Sequence, residues 1–167
     1  MLRQGFQSSI LNIICSYSEN LKIICHCSAG YYSYFPGSTI CTKCSKGYYS
    51  DIEGAIKCLI CPAGTIPNYG QTGCNYCSAG YFSSSPGSTE CTKCFEGYIS
   101  EREGSTKCVI CPAGTIPNYG QTGCKKCSAG YYSSSPGSTE CIKCPEGYYS
   151  DIVGATSCKK CSSDNCQ

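Results

Sequence analysis

Residues 127–158 read CSAGYYSSSPGSTECIKCPEGYYSDIVGATSC. One pattern occurs there twice: C-x-x-G, an aromatic pair, a polar run with a second Gly, then the next cysteines. Outward from this stretch the pattern extends back to Cys27 and on to Cys161. Cys27 is followed by Cys41 and Cys44, Cys58 and Cys61, Cys74 and Cys77, Cys91 and Cys94. Cys108 and Cys111, Cys124 and Cys127, Cys141 and Cys144, Cys158 and Cys161 complete the ladder. Eight units therefore open at Cys27, Cys44, Cys61, Cys77, Cys94, Cys111, Cys127 and Cys144. A longer period lies above them: CPAGTIPNYGQTGC stands at 61–74 and again at 111–124, and three consecutive units span 50 residues. Such units are too small to bury a core alone, so they must stack, each contacting mainly its neighbours.

Composition gives the same reading. The 167 residues hold 20 Cys, 19 Gly and 15 Tyr, but only 4 Phe, 1 Met and no Trp. Burial of apolar surface cannot easily offset the conformational entropy of folding such a chain. Disulfides are the usual remedy in small secreted modules, and a loop of about 15 residues contributes roughly 3 kcal/mol when closed. The formal net charge is +2, spread thinly. No basic stripe marks a nucleic-acid partner, and no apolar run is long enough to insert directly into a membrane. Met1–Phe6 and the interrupted apolar run Ile10–Ile14 make a poor signal peptide. Extracellular placement then implies that the chain is a fragment or an incomplete gene product.

Three segments follow: an atypical N-terminal cap or piece of a preceding segment (1–26), the eight units (27–161) and a short tail (162–167). Within each unit the fourth-position Gly (Gly30, Gly47 and their equivalents) predicts positive φ or a close approach to a neighbouring disulfide. The pair after it, such as Tyr31-Tyr32 or Thr65-Ile66, favours a strand. Adjacent strand side chains point to opposite faces, so one of each pair packs on the crosslinks and the other faces outward or toward the next unit. The second Gly, Gly37 or Gly70 for example, predicts the return turn. The expected fold is a small disulfide-rich repeat protein: an elongated rod or solenoid of irregular β-hairpins, with little or no helix after residue 27. The serine-rich stretches 83–89 and 133–139 read as polar turns and, less readily, as sites for O-linked glycans.

The simplest crosslinking joins each opening Cys to the first Cys of the following CxxC: Cys27–Cys41, Cys44–Cys58, Cys61–Cys74, Cys77–Cys91, Cys94–Cys108, Cys111–Cys124, Cys127–Cys141 and Cys144–Cys158. Cys15–Cys25 and Cys161–Cys166 use the remainder. A crosswise alternative pairs Cys41 with Cys58 and Cys44 with Cys61, and spacing alone leaves both open. The minor rival is an array of four-cysteine zinc sites, the first on Cys41, Cys44, Cys58 and Cys61. It would leave Cys15, Cys25, Cys27 and Cys166 unused and split equivalent units into alternating sets, so even use favours disulfides. His26 is the one histidine and has no second for a triad. Recurrence of CxxC along the chain argues for structure over redox catalysis. The expectation is no enzyme, no catalytic residue and no cofactor.

The unit C-x-x-G-Y-Y-S-x3-G-x3-C-x-x-C, clearest at 127–158, resembles tandem ephrin-receptor-like cysteine-rich repeats of receptor ectodomains and of cysteine-rich protist surface proteins. More loosely it is similar to tumour-necrosis-factor-receptor modules and to the CxxC-rich variant surface proteins of parasitic protists. The likeness covers 27–161. It implies an extracellular or cell-surface setting, full disulfide bonding and an elongated shape, and it carries no catalytic residues. The expected role is an extracellular structural protein, a surface-coat or fibre component whose units associate laterally through aromatics such as Tyr32, Phe82 and Tyr132. Its partner is then another copy of itself or another extracellular protein. The alternative is a ligand-binding fragment of a cell-surface receptor, for which the divergent residues are Tyr34 and Phe35 against Ser84-Ser85 and Ser134-Ser135, and Ser45-Lys46 against Phe95-Glu96 and Pro145-Glu146.

Overall fold

The computed structural model describes residues 6–8, 12–17 and 23–162. Its elements are short strands, with no helix among the described residues. Two compact units form, Met1–Tyr76 with Ser84–Cys91, and Cys77–Ser83 with Thr92–Gln167. The chain is a small disulfide-rich repeat protein of β-hairpins.

In the first unit, β1 (Phe6–Ser8), β2 (Ile13–Tyr17) and β3 (Ile23–Cys27) make an antiparallel sheet in the order β1-β2-β3. Cys15 lies opposite Cys25, and the two are bridged. Ile13 is buried, and the Asn12 carbonyl accepts from the Ser28 N–H at 2.9 Å, joining this sheet to the first repeat.

That repeat shows how all the others are made. The Tyr31 N–H donates to the Ser28 carbonyl at 3.1 Å across Ala29-Gly30, with Gly30 at φ +85°. Positive φ at the third residue defines a type II turn and selects glycine. The turn leads into β4 (Tyr31–Tyr32), which pairs antiparallel with β5 (Thr42–Lys43). The Cys44 N–H then closes onto the Gly30 carbonyl at 3.0 Å. Tyr48–Tyr49 with Leu59–Ile60 and Thr65–Pro67 with Cys74–Tyr76 repeat this in the first unit. Tyr81–Phe82 with Thr92–Lys93 opens the second unit, followed by the hairpins at Tyr98, Thr115, Tyr131 and Tyr148.

Backbone hydrogen bonds join consecutive repeats. In the first unit Gly30 N–H donates to Ser50 C=O, Gly54 N–H to Cys27 C=O and Ser50 N–H to Gln71 C=O, at 2.8–2.9 Å. In the second unit Gly80 donates to Ser100, Gly104 to Cys77 and Ser100 to Gln121 at the same distances. Contact also reaches the next repeat but one, which nearest-neighbour stacking does not predict. Gly30 sits against the Gly70 carbonyl and Gly47 against Gly87. Within the second unit the pairs are Gly80 with Gly120, Gly97 with Gly137, and Gly114 with Gly154. The expected close approach to a disulfide is thus corrected: at these five positions the fourth-position glycine packs on a peptide group, while a Cβ added at Gly130 or Gly147 would meet nothing within 4 Å.

The return turn of the CPAGTIPNYGQTGC repeats forms at Gly70 and Gly120 as expected, with a backbone detail of its own. Positive φ falls on Gln71 (56°) and Gln121 (55°), while Gly70 and Gly120 keep ordinary φ. The reason is a set of hydrogen bonds. Gln71 Nε2 donates to the carbonyls of Cys44, Ser45 and Tyr48 at 2.7–3.1 Å, and Gln121 Nε2 to those of Phe95 and Tyr98. The left-handed conformation aims each amide at the preceding hairpin.

The core is made of sulfur and small residues. Cys27, Cys44, Cys61, Cys77, Cys94, Cys111 and Cys127 are buried, with Ala55, Ala155 and Ile99. The serine after the strand pair is buried in five repeats, Ser50, Ser83, Ser100, Ser133 and Ser150, and half-buried at Ser33. Ser50 Oγ donates to the Ile52 carbonyl at 3.2 Å, whereas Ser83 Oγ and Ser133 Oγ find no partner among the described residues. Ser133→Ala is therefore expected to leave stability unchanged or raise it by up to about 1 kcal/mol, while Ser50→Ala loses about 1 kcal/mol. Guanidinium unfolding midpoints check the contrast; equal losses at both positions would contradict it. Around Ser83 and Ser133 the stretches form turns, with Ser88 Oγ on the Ser85 carbonyl and Ser138 Oγ on the Ser135 carbonyl, both at 2.7 Å.

Candidate interaction surface

The crosslinks come first, since they hold every exposed residue in place. Cys27–Cys41, Cys44–Cys58, Cys61–Cys74, Cys94–Cys108, Cys111–Cys124, Cys127–Cys141 and Cys144–Cys158 join each opening cysteine to the first of the next CxxC. Cys77, Cys91 and Cys161 are disulfide-bonded as well. The expected Cys161–Cys166 partner, Cys166, lies outside the described residues. Each CxxC thus serves two repeats, the crosswise pairing being replaced by bonds within each hairpin loop. The first zinc set, Cys41, Cys44, Cys58 and Cys61, is spread over three bridges, so it holds no thiolate to bind a metal.

Beyond the first repeat, where Tyr31 and Tyr32 are both half-buried, the aromatic pairs divide as the alternation of a strand requires. Tyr48, Tyr81, Tyr98, Tyr131 and Tyr148, first in their pairs, are exposed. The second members turn toward the packed side: Tyr49, Phe82, Tyr132 and Tyr149 are half-buried, and the smaller Ile99 is only 2% exposed. Tyr32, Phe82 and Tyr132, expected as outward contact residues, are all half-buried. The outward role in repeats four and seven falls to Tyr81 and Tyr131. The reason is register: Tyr81 lies opposite Lys93, on the outer side of a two-residue ladder, and Phe82 opposite Thr92.

Two residues that the sequence reading did not single out protrude furthest. Tyr69 and Tyr119 are fully exposed, at 104% and 105%. Each stands on a turn fixed by its neighbours. Asn68 Oδ1 accepts from the Thr72 N–H at 2.9 Å, Asn68 Nδ2 donates to Thr72 Oγ1 at 3.1 Å, and the Asn68 N–H donates to the Gly73 carbonyl. Asn118, Thr122 and Gly123 repeat the arrangement around Tyr119. An aromatic residue at the tip of a Pro-Asn-Tyr-Gly turn was the available signal: a turn tip has no packed side to receive it. Beside Tyr119 an open groove of about 550 Å³ is lined by Phe95, Glu96, Pro117 and Gln121.

A further aromatic group is confined to the first repeat. Tyr32 and Tyr34 meet edge to face, centroids 5.2 Å apart and planes at 89°. Hydrogen bonding with the Tyr34 phenol, then mutual repulsion of the ionised forms, holds Tyr32 above the ordinary tyrosine pKa. Tyr34, Phe35 and Ile40 are all more than two-thirds exposed. His26 is exposed beside Gly54. Among the described residues no helix is long and apolar enough to cross a membrane.

Comparison with known proteins finds no matching curated protein. The family model of the tyrosine-protein kinase ephrin type A/B receptor-like repeats matches residues 30–68 and 130–166. Residues 69–129 fall outside that match, although the same hairpins and bridges continue through them. In residues 30–68 and 130–166, oxidised cysteines and hairpin units thus follow the plan of ephrin-receptor-like cysteine-rich repeats.

Proposed function

We propose that this chain is an extracellular structural protein, a component of a surface coat or fibre that assembles through its repeated units. It acts by contact rather than by catalysis, and its first partner is another copy of itself. The observation that carries the reading is the identical presentation of Tyr69 and Tyr119. Each projects wholly into solvent from the same 14-residue sequence, braced by the same Asn and Thr hydrogen bonds. Aromatic side chains on rigid supports contribute large contact area at low entropic cost. A knob repeated in one chain allows two weak contacts to act together.

Sedimentation velocity over a hundredfold concentration range tests this. Wild type is expected to form larger species as concentration rises, and Y69S combined with Y119S to remain monomeric with its disulfides intact. A wild-type chain that stays monomeric throughout would remove the assembly reading. In that case a receptor fragment becomes the better description, supported by the aromatic residues that set the first repeat apart.

A further inference from the structure

Near-identical repeats supply their own control: a residue that departs from its equivalents, with the backbone kept, has been changed for something local. Two such departures, Tyr34 in the first repeat and Ser45 in the second, meet in one groove. It measures about 330 Å³ and is lined by Tyr32, Tyr34, Ser45, Tyr48, Lys57 and Cys58. Fifty and a hundred residues on, the position of Tyr48 remains Tyr98 and Tyr148, and that of Tyr32 remains aromatic as Phe82 and Tyr132. Tyr34, however, is Ser84 and Ser134, and Ser45 is Phe95 and Pro145. One change adds a wall and the other removes bulk. Either alone would leave a flatter surface, and together they form a cleft with three phenols.

We propose that this groove is a binding site for a carboxylated pyranose, a uronic- or sialic-type sugar. The perpendicular rings of Tyr32 and Tyr34 form a corner with one broad exposed face, since Tyr34 is 72% exposed. A sugar ring lays its C–H face against one aromatic face, whereas a polyproline strand needs parallel ridges. The rim supplies three phenol hydroxyls and the Ser45 hydroxyl, each able to donate and accept. That density of hydroxyls suits a polyol better than an apolar ligand. Lys57 makes no ion pair among the described residues, and its ammonium is the cationic group of the lining. It supplies the partner for a carboxylate. The site stands whether or not the chain assembles, because it lies within one repeat pair.

The test is NMR titration of the full oxidised chain with hyaluronan tetrasaccharide, sialyllactose and neutral chitotetraose. At least one acidic sugar is expected to shift Tyr34 and Tyr48 ring signals and to bind about three- to fivefold more tightly than chitotetraose, as an exposed charge pair allows. Which acid binds better separates uronate from sialate. Y34S is expected to weaken binding at least about tenfold. Ser already fills the equivalent places at 84 and 134, so the hairpin keeps its fold. K57S is expected to abolish the preference for acid while sparing chitotetraose. Moving the site, with S134Y, P145S and S157K, is expected to raise the stoichiometry from one sugar to two. Binding of no sugar, equal binding of acidic and neutral sugars, an unaffected Y34S or an unchanged stoichiometry would each overturn the proposal.

Discussion

Gly47→Ala is expected to prevent oxidative folding of the first unit, or to destabilise it by about 3–5 kcal/mol. Two costs combine. Gly47 has φ +83°, where an L side chain costs roughly 1–2 kcal/mol. The added Cβ would also land on the Gly87 peptide, 2.8 Å from its carbonyl carbon and 2.9 Å from its Cα, with the oxygen closer still. Those atoms are backbone and cannot rotate away. Gly87 is itself held by its N–H on the Cys61 carbonyl at 2.8 Å, so relief would break the link between two repeats. Gly37→Ala separates the two costs. Its φ is +76°, but nothing lies within 4 Å of the added Cβ, so only about 1–2 kcal/mol is expected. Refolding yield of the native disulfide set and denaturant midpoints read both. Equal effects at the two positions would show that the glycine packing between alternate repeats does not matter.

Much of this fold was legible because the cysteine ladder fixes where each hairpin starts and closes. Loops of fixed length between Cys27 and Cys41, or Cys44 and Cys58, leave room for a turn, a two-residue ladder and a return. The glycine recurring at Gly30 and Gly47 reported its positive φ in the same way. What it touches was not legible, because the Gly30–Gly70 contact depends on how far one hairpin rotates against the next. No residue type in the sequence records that rotation. The left-handed Gln71 was hidden by the adjacent Gly70, the usual residue for such a backbone. Only the three carbonyls that converge on its amide explain the displacement. At the candidate surface, alternation correctly divided the aromatic pairs beyond Tyr31-Tyr32 but could not say which member faces out. Tyr32, Phe82 and Tyr132 therefore came out half-buried. Tyr69 and Tyr119 escaped notice because a tyrosine in a polar turn resembles any other turn residue until its full exposure is seen.

Complete reduction is expected to unfold the whole chain, and added zinc is not expected to refold it. The buried side chains are chiefly half-cystines, with alanine, serine and two isoleucines beside them. Apolar burial on that scale cannot hold hairpins whose ladders are two or three residues long. The repeat bridges named above close loops with a sequence separation of 13 or 14 residues, as in Cys61–Cys74 and Cys94–Cys108, and Cys15–Cys25 closes one of 10. Closing such a loop contributes roughly 3 kcal/mol, although neighbouring bridges need not add. Removing a single bridge tests whether repeats support one another. Cys94 and Cys108 close a hairpin whose Ser100 bonds both Gly80 and Gln121 and whose Gly97 packs on Gly137. Cys144 and Cys158 close one with neighbours on the preceding side alone among the described contacts. Replacing Cys94 and Cys108 by serine should therefore deprotect amides through repeats four to seven in hydrogen exchange. The same change at Cys144 and Cys158 should affect mainly the last two. Dispersed NMR signals surviving full reduction would show that an apolar core carries the fold. Their return with zinc would make the cysteines metal ligands, and deprotection confined to one hairpin in both variants would show that the repeats are energetically independent.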